Sequence, residues 1–239
     1  APGYDANASS TSTGRSYIIF GSKTGPFAAG SEVDNKGTSA NDTLTSTGTQ
    51  TLAGGSFSAG TGNDTFISNG GDVLLGGMGK DTFVLNQSTL TALQSNFGAG
   101  GNTTQLAKID GGAGIDTIRL SGGASLDFTQ IANTFVGDNA RASSKISSIE
   151  KIDLATDTSA NTVTLALKDV VDMAGFNVFN MGGTTVQRHQ LMVTGGANDT
   201  VDFAVLSDWT NAGTVSDGAN TYVVYNHNTA AAQVLVMSG

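Results

Sequence analysis

The sequence predicts a mainly β protein, a short parallel roll packed with a β-rich lobe and carrying few short helices. Three observations predict it. Glycine supplies 33 of 239 residues, about twice the usual share. Asp and Glu total 20, yet Glu occurs only at Glu32 and Glu150, leaving 18 Asp; Asp suits turns and oxygen-rich loops, whereas Glu favours helix. Third, a tetrad of the form x-Asp-Thr-apolar, preceded by glycine in most copies, recurs at residues 41–44, 63–66, 80–83, 115–118 and 198–201. Recurrence of one turn-forming unit along the chain is the signature of a repeat architecture.

Composition excludes several classes. A net charge of −9 with only 11 Lys and Arg leaves no basic footprint for nucleic acid. The 38% hydrophobic content is enough for a core, so wholesale disorder is not expected. Cysteine is absent, which removes disulfides, thiolate metal sites and thiol nucleophiles together. The longest apolar runs, such as Val163 to Leu167, are far short of the roughly 18–20 residues of a membrane-spanning helix, so no membrane insertion is expected. Ala1-Pro2-Gly3-Tyr4 shows no basic stretch leading into an apolar one, so no secretory signal peptide is expected in this stretch. Without an initiator Met the chain is expected to be a processed piece of a longer protein. A β-rich chain without disulfides needs another staple, and metal ions are the obvious one.

Along the chain, Arg15 to Phe20 reads as a buried strand. Residues 76–84 and 111–119 then fit the nonapeptide G-G-x-G-x-D-x-U-x at every fixed position, and 59–67 departs only by Ala59 for the first Gly. The first six residues of each predict a turn, where glycine permits backbone angles closed to other residues. Such a turn exposes carbonyl oxygens on one side, and the Asp adds a carboxylate. The last three predict a short strand whose apolar residue (Phe66, Leu74 in the shortened copy, Phe83) points inward. Successive turns fall on alternate edges of the roll, so Asp64 and Asp81, 17 residues apart, are expected to share an ion, with Asp72 on the opposite edge. Calcium accepts six to eight hard oxygens at flexible geometry, which two such turns can supply.

Ser88 to Phe97 has helix-like apolar spacing after a Ser or Thr cap. Ile146, Ile149, Ile152 and Leu154 lead into a strand at Thr162 to Leu167, followed by one or two helical turns over Lys168 to Ala174. Gln190–Thr194, Tyr222–Tyr225 and Gln233–Met237 predict further strands, with long loops at Asn133–Lys145 and Asn180–His189. No Pro-rich or charged linker interrupts the chain. It reads as a single module, 1–239, with an N-terminal strand region (1–40), a calcium roll (41–122) and a β-rich lobe (123–239).

The nonapeptides resemble the calcium-binding repeats of RTX proteins, and the text around them is similar to a module of giant bacterial RTX adhesins. Gly14-Arg15-Ser16-Tyr17-Ile18-Ile19-Phe20-Gly21 resembles the strand that closes FG-GAP-type repeats in such adhesins. Residues 109–118, 146–154 and 169–173 follow the order of their ligand-binding region near the C-terminal end. The resemblance covers the chain from about residue 14. It implies a calcium-dependent extracellular adhesin module, exported within a larger protein by type I secretion, that binds a peptide or protein on a cell surface for attachment and biofilm formation. Two alternatives stay open: a structural segment that folds in calcium for export without a ligand of its own, and a carbohydrate-binding module.

The expected ligands of several Ca²⁺ ions are Gly60, Gly62, Asp64, Asp72, Gly77, Gly79, Asp81, Asp110, Gly112, Gly114, Asp116 and Asp199. Asp42 and Asp199 sit in degraded copies, and Asp110 precedes a full nonapeptide. For the surface ligand the candidates are Asp138, Asn139 and Arg141 on the long loop, Arg188, His189 and Gln190 as donors, and Trp209 as an aromatic platform. Trp209 reads first as packing, and the donors first as surface. Enzymatic chemistry is not expected. Glu32 and Glu150 lie in separate contexts rather than as a glycosidase pair, and Glu150 reads as a surface residue or local ion-pair partner. His189 and His227 come without a G-x-S-x-G elbow or an H-E-x-x-H zinc motif.

Overall fold

A computed structural model describes residues 35–46, 56–96, 99–100, 107–131, 144–181 and 185–238. All of them belong to one compact unit, Val33–Gly239. The expected strand at Arg15–Phe20 and the candidates Asp138, Asn139 and Arg141 lie outside the described residues.

The chain winds as a parallel β solenoid. Its first sheet contains β1 (Asn35–Lys36), β3 (Ser56–Thr61), β5 (Val73–Gly79), β7 (Lys108–Gly114) and β10 (Ile146–Ser147), all parallel. The second holds β2 (Thr43–Thr45), β4 (Thr65–Ser68), β6 (Thr82–Leu85), β8 (Thr117–Leu120), β11 (Lys151–Asp153), β13 (His189–Thr194) and β17 (Ala232–Met237), again parallel. From β8 onward a third wall appears, made of β9 (Ser125–Asp127), β12 (Thr162–Leu165) and β14 (Thr200–Phe203). Two antiparallel strands, β16 (Thr221–His227) and β15 (Trp209–Ser216), extend the second sheet beyond β17.

The core is stacked in register, as the repeat demands. Leu44, Phe66, Phe83, Ile118, Ile152, Val193 and Val236 occupy one row across the second sheet. Phe66 and Phe83 stack with ring centroids 4.8 Å apart, a contact that adds to their area burial. Leu126 and Val163 continue the core on the third wall. Inward Phe66, Leu74 and Phe83, expected from the repeat, are all fully buried.

The sequence-derived helices form as α1 (Gln87–Gln94) and α2 (Leu167–Met173). The cap of α1 is Asn86, whose side chain accepts from the Thr89 N–H, rather than the Ser or Thr expected. Leu90, Ala92 and Leu93 bury its inner face. The buried Lys145 ammonium donates to Leu93 and Ser95 carbonyls at 2.8 and 2.6 Å, fixing the helix C-terminus.

The β-rich region continues the parallel sheet of the roll, because β8 pairs directly with β11 and β11 with β13. Irregular coil lengths hid the continuity: the spacing between paired strands lengthens after β6, and the repeat motif fades while the winding persists. Among the described residues no helix is long and apolar enough to cross a membrane.

Candidate metal centre

Each nonapeptide makes a turn from the first sheet to the second, and the turns stack. Gly60 lies beside Gly77 and Gly77 beside Gly112, with Met78 beside Thr61 and Ala113. Glycine is required at Gly79 and Gly114, whose φ angles are +137° and +153°. A Cβ at either would fall on the carbonyl oxygen of the glycine one coil before, Gly62 or Gly79. Absence of side chains is what lets the carbonyls line the turn edge at close range.

The acids that end these turns form a column. The Asp42 N–H donates to Asp64 Oδ1 at 2.7 Å, Asp64 N–H to Asp81 Oδ1 at 2.8 Å, and Asp81 N–H to Asp116 Oδ1 at 2.8 Å. The Asp116 N–H donates to Glu150 Oε2 at 2.9 Å. These bonds employ one oxygen of each carboxylate. The other oxygen, Oδ2 of Asp64, Asp81 and Asp116, is buried and accepts nothing. All three residues are at most 1% exposed.

A carbonyl oxygen from the next coil lies near two of these oxygens, those of Asp81 and Asp116. A Cβ at Gly76 would fall on both Asp81 Oδ2 and the Gly111 carbonyl oxygen. One at Gly111 would fall on the Ser148 carbonyl oxygen, with Asp116 Oδ2 2.6 Å away. A buried carboxylate oxygen without a hydrogen-bond donor is unfavourable unless a cation or a proton joins it. Hard oxygens, one carboxylate per coil and flexible geometry fit a calcium-like ion better than a transition metal. Among the described residues no three His, Asp or Glu side chains converge on one point, so main-chain carbonyls would complete the ligand set.

The electrostatics point the same way. Burial, with Asp64 adding repulsion, raises the Asp81 carboxyl above its usual range. Burial pushes Asp116 up to about 7, and Glu150, Asp81 and Asp110 contribute repulsion in that order. Glu150 is also raised, chiefly by burial. A cation beside Asp81 and Asp116 would offset the burial and repulsion that raise them.

The remaining metal candidates separate from this column. Asp72 sits on the opposite edge, as expected, where Ser46 and Ser68 hydroxyls donate to its two oxygens at 3.2 and 2.6 Å. Asp110 lies on β7 in register with Leu75 and Ser147, with its charge near Asp116. Asp199 belongs to the third wall, with Oδ1 accepting from the Asn161 N–H and Oδ2 from the Gly196 N–H. Glu150, read from the sequence as a surface residue or ion-pair partner, is only 5% exposed and closes the column. The available signal was spacing: Glu150 follows Asp116 by 34 residues, as Asp116 follows Asp81 by 35.

Among the described residues, the surface-ligand candidates form no single site. Gln190 is buried, with its amide spent on Phe179 and Gln233. Trp209 packs on Phe203 and edge-on against His227, and is 7% exposed. His189 Nδ1 lies 2.8 Å from the Ala174 carbonyl. Arg188 donates Nη1 to the Ala230 and Ala232 carbonyls and lines a shallow cleft of about 400 Å³ with His227 and Thr229. No family model, curated protein or solved structure matches the chain.

Proposed function

We propose that the chain is a calcium-dependent extracellular adhesin module, a solenoid stapled by ions along one edge, which presents its surface to a peptide or protein on another cell. The observation that carries the calcium reading is the column of buried carboxylate oxygens on Asp64, Asp81 and Asp116 that accept no hydrogen bond. The residues that would hold the ions are these aspartates and the carbonyls of the facing coils, Gly111 and Ser148 among them. Bound calcium supplies positive charge and a flexible set of oxygen bonds between adjacent coils.

The chain's own residues do the rest. Backbone N–H donors orient each carboxylate, and the glycines let carbonyls approach. In a calcium-poor cytosol the stacked acids repel, which keeps the chain loose for export. Outside the cell the folded state alone gathers the ions, and their binding free energy becomes folding free energy.

The adhesive part of the proposal rests on the resemblance to RTX adhesins. A second reading, a structural segment without its own ligand, gains support from the burial of Gln190 and Trp209, two of the residues proposed to meet one. The same burial weighs against a sugar platform on Trp209. A screen of immobilised peptides and glycans, run in calcium and in chelator, separates the readings. Calcium-dependent peptide retention supports the adhesin, glycan retention alone overturns its peptide assignment, and no retention favours the structural segment.

A further inference from the structure

We infer that the acidic column takes three ions and no more, because donors of the chain itself close it at both ends; this rests on the calcium reading above. At the N-terminal end, Asp42 occupies the same place as Asp64, Asp81 and Asp116, but its Oδ2 accepts from the Thr38 N–H at 2.6 Å and Thr38 Oγ1 at 2.9 Å. That carboxylate needs no cation. Thr38 stands where the later coils have Gly60, Gly77 and Gly112; a Cβ at Gly37 would meet the Ala59 carbonyl oxygen and Asp42 Oδ2, as at the later turns, but here the Thr38 donors already engage that carboxylate oxygen.

At the other end the final turn is cut short. Pairing of Ser147 with Asp110 places Ser148 opposite Gly111. Five positions separate Gly111 from Asp116, and only two separate Ser148 from Glu150. The part of the turn corresponding to Gly112–Gly114 is missing. Ser148 adopts φ +55° to bring its carbonyl to Gly111, and the extra methylene of Glu150 spans the shortfall to reach the Asp116 N–H. The backbone amides of Gly175 and of Glu150 itself favour the charged form of this carboxylate, and no oxygen of Glu150 is left among the buried orphans. Glutamate here is a stop, placed where an aspartate would have continued the column.

The third wall shows what a closed column looks like throughout. Asn161 Oδ1 accepts from the Gly123 and Ala124 N–H groups at 3.1 and 3.0 Å, and the Asn161 N–H donates to Asp199 Oδ1 at 2.9 Å. This repeats the ladder of the acidic column. Here, however, the Asn161 amide donates Nδ2 to the Leu154 and Ser159 carbonyls and to Asp157 and Asp199 Oδ1, all within 3.4 Å. A fully buried NH₂ group supplies the positive hydrogens that an ion would otherwise supply, and Asp199 is complete without metal.

The test is a count of bound calcium per chain, by mass spectrometry of gel-filtered protein and by calorimetric titration. Asn retains the Oδ1 acceptor of each rung and turns an NH₂ toward the carbonyls, as Asn161 does, so Asp→Asn variants keep the ladder. Asp64→Asn, Asp81→Asn and Asp116→Asn are each expected to lower the count, and the triple variant to lower it by three. Asp42→Asn, Glu150→Gln and Asp199→Asn are expected to leave it unchanged. An ion lost in any of these last three, or a triple variant losing other than three, overturns the closed column while leaving calcium binding intact. Wild-type protein that binds no calcium overturns the calcium reading itself. Melting curves in calcium report folding, and if the triple variant does not fold, the three single variants decide, any one that loses no ion counting against the column.

Discussion

The Asp81 N–H donates to Asp116 Oδ1 at 2.8 Å, while Oδ2 of the same Asp116 carboxylate, fully buried, accepts nothing. One oxygen binds coil to coil, and the other lies near the Ser148 carbonyl without a donor. The ladder therefore stitches the coils together only if something neutralises its far side.

Calcium is expected to raise the melting temperature at pH 7.5, and chelator to lower it. Each independent site saturated at 100 times its dissociation constant contributes about 2.7 kcal/mol. Scanning calorimetry or circular dichroism in calcium and in chelator measures this. Identical melting in the two conditions would remove calcium from the fold.

Without calcium the pH dependence has a definite sign. Asp81, Asp116 and Glu150 are raised in the folded chain, Asp116 to about 7, and Asp169, buried beside the α2 N-terminus, to about 6. The folded state then binds more protons than the unfolded state between the ordinary carboxyl range and about pH 7, so stability falls as pH rises through that window. Asp153, held below its usual range by Thr156, Arg119 and Thr194 despite its burial, acts in the opposite sense only at lower pH. In chelator the melting temperature is expected to drop from pH 5 to pH 7.5; in calcium that drop shrinks or inverts.

Asp81→Asn should separate the two roles of the column. An amide cannot ionise, so the repulsive charge is gone; the melting temperature in chelator at pH 7.5 rises, and the response to calcium weakens. A chelator melt unchanged from wild type would mean that the buried charge is not the destabilising element.

Asn161→Ala removes a fully buried amide with donors and acceptors all engaged. The loss should cost about 1–3 kcal/mol for each polar group stranded, and by the same amount in calcium and in chelator. A cost that vanishes in calcium would place an ion in the third wall.

Gly79→Ala meets the Gly62 carbonyl oxygen at a φ of +137° and should destabilise the coil by more than about 2 kcal/mol. Gly70→Ala, with nothing within 4 Å of the new Cβ, is the control, expected within about 0.5 kcal/mol of wild type. Denaturant melts of both check the contrast.

What the residues determined unaided is the unit and its chemistry. Gly-x-Gly-x-Asp followed by an apolar residue imposes a turn, a carboxylate and an inward side chain wherever it occurs, since each of these follows from local backbone freedom and a period of two. Asp64, Asp81 and Asp116 were legible for that reason, as were α2 and the strands at β12, β13, β16 and β17. Tertiary structure alone decided how far the winding runs and where the column ends. The partner of each rung lies 17 to 35 residues away, across coils of unequal length, so no local pattern shows that β8 continues into β11. Glu150, Ser148 and Asn161 carry no repeat around them. Their roles arise from register, which places a longer acid opposite a shortened turn and an amide where another coil has an unpaired carboxylate oxygen.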